Sequence, residues 1–192
     1  KSLTILLTFE KSMTSEYFFF NAPIILPMSF ILYIFKVSTI SLHIFLVSSS
    51  LNCFGRNEFI ISREHRNGYD HALRASGAVL SEVGMNEQLA GAGVRRTESW
   101  EYEAAITENT AGIFYSATSA SRPPLEEILT IAHSYKCPVL VDAAAQLPPA
   151  SNLRHFIDIG ADLVVFSGGK ALKGPQSAGI ICGKRDLIAS VA

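Results

Sequence analysis

The sequence carries little net charge and few cysteines, and it lacks both common glycine-rich nucleotide-binding patterns. The formal net charge of the 192 residues is −1, so no electrostatic argument favours a nucleic-acid partner. The three cysteines are far apart and form no CxxC or Cys/His cluster, which argues against a disulfide framework and against a metal site. No GxxxxGKS/T loop occurs, and no GxGxxG follows a strand pattern. These absences favour free thiols in a reducing, cytoplasmic compartment.

Charge is also scarce within one long apolar stretch, residues 18–51, where Lys36 is the single formal charge. The stretch is long enough to span a bilayer, but Pro23 and Pro27 interrupt it, and it lacks the pattern of a signal peptide. Two interpretations remain: a membrane helix, or a segment foreign to the domain, such as non-coding sequence read as protein or a wrong start. We therefore divide the chain into an apolar segment, 1–54, and a domain, 55–192.

Residues 55–192 alternate between short apolar runs and helical patterns. The strands predicted from these runs cover residues 59–62, 78–83, 112–116, 139–141, 163–166 and 178–182. The predicted helices cover residues 69–76, 99–106, 123–135, 152–159 and 184–191. This alternation predicts βαβ units, hence an α/β fold with a mostly parallel sheet between helical layers. The link between the last two strands is too short for a crossover helix, so we expect that pair to be antiparallel or non-adjacent.

An acid and a lysine follow two of these strands. Asp142 ends the strand 139–141, and Lys170 follows the strand 163–166 through Ser167-Gly168-Gly169. Open α/β sheets bind ligands at the carboxyl edge of their strands, so we expect both side chains at one edge. Pyridoxal phosphate uses such a pair: the lysine forms a Schiff base, and the acid keeps the ring nitrogen protonated. The plainer alternatives are a solvated surface lysine and an aspartate that caps a turn.

Three segments resemble one known family. The segments 65–84 (HRNGYDHALRASGAVLSEVG), 139–149 (VLVDAAAQLPP) and 160–184 (GADLVVFSGGKALKGPQSAGIICGK) resemble the bacterial selenocysteine synthase family, L-seryl-tRNA(Sec) selenium transferase and its relatives. Within it, the first two are more similar to the branch that includes D-glucosaminate-6-phosphate ammonia-lyase. The resemblance covers about residues 58–192. It implies a fold-type-I pyridoxal phosphate enzyme with the three-layer αβα large domain of the aspartate aminotransferase type, here truncated.

The resemblance assigns roles to five residues. Lys170 matches the Schiff-base lysine, and Asp142 matches the acid that faces the pyridine nitrogen. Ser167 fits a contact with the cofactor phosphate, although a strand-end serine can equally cap its own turn. His65 occupies a position where the family places a residue against the cofactor ring or the substrate. Arg66 is a candidate for binding a substrate phosphate or carboxylate, with a solvated loop arginine as the alternative.

The resemblance also implies a reaction class. We expect a lyase or transferase that acts on a small amino acid or amino sugar acid by removing its α-proton and eliminating a β-substituent. Family members are longer, carry a phosphate-cradling loop ahead of the His-Arg segment, and complete their sites in homo-oligomers. The alternative is a non-catalytic fragment of this fold, tethered to a membrane if residues 18–51 are an anchor. The sequence leaves open whether this chain is an active enzyme.

Overall fold

The computed structural model of the chain describes residues 4–8, 55–85, 95–175 and 178–191, with the backbone alone for residues 4–8, 190 and 191. The strands in these ranges are β1 (Thr4–Thr8), β2 (Glu58–Ser62), β3 (Val79–Val83), β4 (Thr110–Ser116), β5 (Val139–Asp142), β6 (Leu163–Ser167) and β7 (Gly179–Gly183). The helices are α1 (His71–Ala75), α2 (Ser99–Ala105), α3 (Leu125–Ser134), α4 (Asn152–Asp158) and α5 (Arg185–Val191). Two 3-10 helices, Arg63–His65 and Gly68–Asp70, lie between β2 and α1.

All the described strands belong to one mixed sheet of order β1-β7-β6-β5-β4-β2-β3. The five neighbours from β6 to β3 run parallel, whereas β7 is antiparallel to both β6 and β1. The antiparallel β6–β7 pair confirms the expectation drawn from the short link between them. The parallel order places the carboxyl ends of β2, β4, β5 and β6 at a single edge, and the loops after these strands lie there.

Two apolar clusters cover the two faces of the sheet. On one face α2, α3 and α4 pack against residues such as Ile113, Val141 and Phe166. On the other face α1 and α5 pack against Phe114, Leu140 and neighbours of theirs. The alternation of buried side chains along each strand supplies both faces, as expected for a parallel sheet covered on both sides. The predicted three-layer αβα architecture is confirmed.

Helix α3 shows how the sequence specifies these layers. Its apolar residues Leu125, Ile128, Leu129 and Ala132 recur at helical spacing, and all four are buried against the sheet. Pro124 precedes the helix, where the N–H that proline lacks would have had no partner. The helix therefore begins two residues after, and ends one residue before, the bounds predicted from its pattern.

A buried aspartate joins the layers at the amino end of β6, opposite the edge described above. The Asp162 carboxylate accepts hydrogen bonds from the backbone N–H of Val139 (2.7 Å) and from Nε2 of His133 (3.0 Å), and it also pairs with Lys184. These contacts link α3, β5, β6 and the start of α5. A buried charge with several donors is satisfied rather than destabilising, so Asp162 is a structural residue.

The element boundaries lie within two residues of those predicted, which is the usual uncertainty of helix and strand ends. The strand β1 falls in a segment for which the sequence predicts no element. The apolar stretch 18–51 lies outside the described residues, so its two interpretations and the division at residue 54 stay predictions. None of the helices within the described ranges has the length and apolar composition needed to cross a bilayer.

Candidate active site

The structure brings Asp142, Ser167 and Lys170 to one edge of the sheet. Asp142 pairs in register with Val165, so the two side chains share a face, and Ser167 lies two residues further along β6 on that face. Both Asp142 and Ser167 are buried, with 6% of each residue exposed. Lys170 is exposed in the turn that follows β6. The predicted arrangement of acid and lysine at one edge is therefore observed.

Asp142 lies in a dry environment. One of its carboxylate oxygens accepts a hydrogen bond from the Ala144 backbone N–H at 3.0 Å. Burial raises the pKa of Asp142 because the charged form loses water, while the Ala144 hydrogen bond and the positive charge of Lys170 oppose the rise. The two side chains interact electrostatically, yet no hydrogen bond or ion pair joins them in the described part of the chain.

The turn that carries Lys170 depends on Gly168. The Gly168 N–H donates a hydrogen bond to the Ala178 carbonyl oxygen at 2.8 Å. A Cβ atom at position 168 would lie 2.4 Å from that same oxygen, closer than any real contact. Lys173 adopts a left-handed backbone (φ 53°), and its N–H bonds to the Lys170 carbonyl. The chain thus reverses within a few residues and fixes the backbone of Lys170 at the edge.

His65 is buried beside Tyr115 at the end of β2. Its ring meets the Tyr115 ring edge-on, with centroids 4.6 Å apart. Both ring nitrogens of His65 are buried without a hydrogen-bond partner among the described residues. Burial lowers the pKa of His65 to about 4, against a smaller opposing effect of the Glu64 charge. Tyr115 pairs in register with Val141, the residue before Asp142, so His65 contacts the strand next to the one that bears Asp142.

Tyr69, which the sequence argument did not single out, lies next to Lys170. The lysine Nζ is 6.0 Å from the centre of the Tyr69 ring, at the outer limit of a cation–π contact. Tyr69 is 43% exposed and belongs to the second 3-10 helix after β2. The contact places the segment with His65 and Tyr69 opposite the turn with Lys170, so the two segments flank the edge at Asp142.

Arg66 does not face this edge as a free guanidinium. It pairs with the carboxylates of Asp70 and Glu82, and Arg74 also bonds to Asp70 at 3.1 Å. Burial by itself would raise the pKa of Asp70. The hydrogen bonds and positive charges of Arg66 and Arg74 outweigh this effect and hold the pKa of Asp70 below its usual range. This network fixes the segment that bears His65 and Tyr69. A direct role of Arg66 in substrate binding stays a prediction.

Pyridoxal phosphate has chemical requirements that these residues can meet. Asp142 is a buried carboxylate, the acceptor that a protonated pyridine nitrogen requires, and Lys170 is an exposed amine within its electrostatic reach. The unpartnered nitrogens of His65 are costly when buried, and a polar ligand would satisfy them. The residues present therefore fit the cofactor. The contact predicted for Ser167 with the cofactor phosphate stays untested.

The chain matches one protein family over most of its length. The model of the L-seryl-tRNA selenium transferase family matches residues 54–192. Three curated relatives represent the similarity. A 5'-C-glycyluridine monooxygenase-decarboxylase from Streptomyces sp is 33% identical over 70% of this chain and 33% of its own length. An L-seryl-tRNA(Sec) selenium transferase from Aquifex aeolicus is 35% identical over 62% of this chain and 28% of its own length. A D-glucosaminate-6-phosphate ammonia lyase from Salmonella typhimurium is 30% identical over 70% of this chain and 35% of its own length. The chain spans about a third of the length of these relatives.

Solved structures agree on the fold. The structure of D-glucosaminate-6-phosphate ammonia-lyase matches 80% of this chain and 44% of its own, with a TM-score of 0.64 and 24% identity. A Thermus thermophilus aspartate aminotransferase mutant matches 80% of this chain and 44% of its own, with a TM-score of 0.54 and 17% identity. The matched family and these aminotransferase-like neighbours depend on pyridoxal phosphate. The predicted resemblance and cofactor class are confirmed at the level of the family.

Proposed function

We propose, on the premise that this chain belongs to the L-seryl-tRNA selenium transferase family, that it is part of a pyridoxal phosphate-dependent lyase or transferase. The observation that carries the proposal is the buried Asp142 within electrostatic reach of Lys170 at the carboxyl edge of the sheet. Bound pyridoxal phosphate supplies an aldehyde that condenses with amines and a ring that withdraws electrons from the adjoining carbon. The rest of the chemistry falls to the side chains of this chain.

Lys170 would hold the cofactor through its amine and, once released, would take a proton at Nζ from the α-carbon of the substrate. The backbone turn at Gly168 keeps this amine at the edge, since the turn contacts Ala178 directly. Removal of the α-proton then allows a β-substituent to leave. Lys170, as the base, is the group that would return this proton to substrate or leaving group.

Asp142 would hold a negative charge against the protonated ring nitrogen. Its burial makes that charge unfavourable in the free chain, and a cationic partner reverses this effect. His65 would bind the cofactor ring or the substrate as a neutral imidazole, because its pKa of about 4 keeps it uncharged at physiological pH. The Ser167 hydroxyl would donate a hydrogen bond to the cofactor phosphate.

The substrate class follows from the relatives rather than from the site. Their names describe a transferase, a lyase and a monooxygenase-decarboxylase, so family membership does not select one reaction. Two of the names carry a sugar phosphate: the RNA chain of seryl-tRNA and D-glucosaminate-6-phosphate. We propose an amino acid or amino sugar acid substrate attached to a sugar phosphate. The complete site would form in a homo-oligomer of the longer protein.

Borohydride trapping tests the proposal. The chain is incubated with pyridoxal phosphate, reduced and digested, and the peptides are mapped by mass. We expect the pyridoxal adduct on Lys170 and its loss in Lys170→Ala. Lys173→Ala is the matched control, because Lys173 lies in the same turn. An adduct shared evenly among surface lysines, or none with excess cofactor, would instead support a non-catalytic fragment of this fold.

A further inference from the structure

A cavity of about 400 Å³ lies between the amino ends of α2 and α3. Its walls include Arg96, Thr97, Trp100, Arg122, Pro123 and Glu127. These residues belong to the loops that follow β3 and β4, and to the first turns of the two helices. The cavity therefore opens at the same carboxyl edge of the sheet as Asp142 and Lys170.

Two residues that line the cavity, Thr97 and Pro123, form hydrogen bonds with residues near His65. The Thr97 hydroxyl lies 2.8 Å from the Ser62 hydroxyl at the end of β2, and the Thr97 N–H donates to Glu64 at 2.8 Å. On the other side, the Tyr115 hydroxyl donates to the Pro123 carbonyl at 2.9 Å. Since the Tyr115 ring also contacts His65, the Pro123 wall of the cavity is connected to the imidazole through one intervening side chain. A substrate bound near His65 could extend into this cavity.

Two charged groups in the cavity walls are uncommitted, one of each sign. The only hydrogen bond of the Arg122 guanidinium within the described residues goes to its neighbour, the Ser121 carbonyl. The Glu127 carboxylate has no hydrogen bond or ion pair in the same ranges. By contrast, Arg96 is paired with Glu64 at 2.6 Å. A ligand with an anionic end and hydroxyl donors would satisfy both free groups.

Trp100 adds a flat apolar surface to the cavity. The indole is 53% exposed, unusually high for so large an apolar side chain. Its N–H donates to Glu98 at 2.7 Å, and the Arg95 guanidinium lies 5.5 Å from the ring centre. These contacts hold the indole in place while leaving it accessible. An exposed, fixed aromatic plane is suited to stacking against a base or the apolar face of a sugar.

We propose that this cavity binds the sugar-phosphate part of the substrate, with the phosphate on Arg122, hydroxyl groups on Glu127 and a ring against Trp100. The assignment rests on the proposed function, because it places the reacting amine at Lys170 and the remainder of the same molecule here. The sugar phosphate could belong to a free metabolite or to the end of an RNA chain. Both sources present the same chemistry to the cavity.

Trp100 is the only tryptophan of the chain, so its fluorescence reports directly on this cavity. The probes are ribose 5-phosphate, a short RNA oligonucleotide ending in CCA, inorganic phosphate and L-serine, titrated without pyridoxal phosphate. We expect a saturable change with ribose 5-phosphate or with the RNA. Arg122→Gln should weaken that binding about tenfold, the scale of one lost charge-assisted contact. Arg154→Gln is the control, since Arg154 is exposed on α4 outside the cavity wall.

The outcomes separate the two proposals. Lys170→Ala should bind the probes as the unchanged chain does, so a failed cofactor test leaves this test valid. Binding of RNA alone, lost in Arg122→Gln, supports the cavity and identifies RNA as the source; binding of ribose 5-phosphate identifies a free metabolite. No saturable change with either sugar phosphate overturns the proposal. Equal losses in Arg122→Gln and Arg154→Gln, or equally tight binding of serine or inorganic phosphate, also overturn it.

Discussion

The imidazole of His65 meets the ring of Tyr115 edge-on, with the two ring centroids 4.6 Å apart. Neither nitrogen of the imidazole is hydrogen-bonded within the described residues. The protonated form of this imidazole is unfavourable, because burial removes its water and lowers the pKa of His65 to about 4. The unfolded chain would protonate His65 near the ordinary value of 6.5. Between these two pH values the unfolded state binds one more proton than the folded state.

The free energy of unfolding should therefore fall as pH is lowered from 6.5 towards 4. For His65 alone the full difference amounts to about 3 kcal/mol. His65→Phe keeps an aromatic ring against Tyr115 and removes the titration, so its stability should depend less on pH in this window. Urea unfolding at several pH values measures the slope. His155→Phe, at an exposed position on α4, should retain the slope of the unchanged chain; an identical slope in His65→Phe would contradict the assignment.

The buried charge of Asp142 is expected to lower the stability of the cofactor-free chain and to increase its affinity for pyridoxal phosphate. Burial raises the pKa of Asp142, so its ionised form destabilises the chain when no cofactor is bound. This cost is fully present above the folded-state pKa, and it shrinks to nothing as pH falls from that value to the ordinary pKa of an aspartate in the unfolded chain. Asp142→Asn keeps an oxygen for the Ala144 N–H and removes the charge. We expect a higher melting temperature at neutral pH and at least a tenfold weaker affinity for pyridoxal phosphate, because the ring nitrogen loses its counter-charge.

Thermal unfolding with and without pyridoxal phosphate measures both effects. Asp158→Asn is the matched control, since Asp158 is exposed on α4 and should change neither quantity. If Asp142→Asn lowers the melting temperature of the cofactor-free chain, the carboxylate is not destabilising in that state. If it leaves the cofactor-induced stabilisation unchanged, Asp142 does not face the ring.

Gly168 allows the close approach on which the Lys170 turn depends. In Gly168→Ala the new Cβ would meet the Ala178 carbonyl oxygen at 2.4 Å, so the backbone must move. We expect a loss of about 1–3 kcal/mol in the free energy of unfolding, the usual cost of forcing extra volume into a packed site. The displaced turn should also lower the borohydride-trapped adduct on Lys170. Gly68→Ala adds the same atom in open space and should change the adduct little.

Most of the fold could be predicted from local patterns. The elements from β2 to α5 follow the periodicity of buried residues, as in α3, where Leu125 and Ile128 mark the face that packs on the sheet. The short link from β6 cannot hold a crossover helix, which left β7 either antiparallel to β6 or non-adjacent to it, and the structure shows the antiparallel pair. Strand β1 was not predicted, because a five-residue strand is stabilised mainly by its pairing with β7, which lies far away in sequence.

The site was predictable only in part. Asp142 and Lys170 each end a strand pattern, and the rule for parallel sheets placed them at one edge. Nothing local indicated that Tyr69 lies next to Lys170, or that Tyr115 lies next to His65, since these contacts join separate loops. The pairing of Arg66 with Asp70 and Glu82 likewise depends on how β3 lies beside β2.

The sequence by itself determined the alternation of strands and helices and the family. It also determined the two strand ends that are followed by the candidate acid and lysine. These features are encoded locally, in the period of apolar residues and in short glycine-containing turns. Only the tertiary structure decided which polar groups lose water. The buried imidazole of His65, the raised pKa of Asp142 and the cavity beside Trp100 arise because segments distant in the chain exclude solvent together.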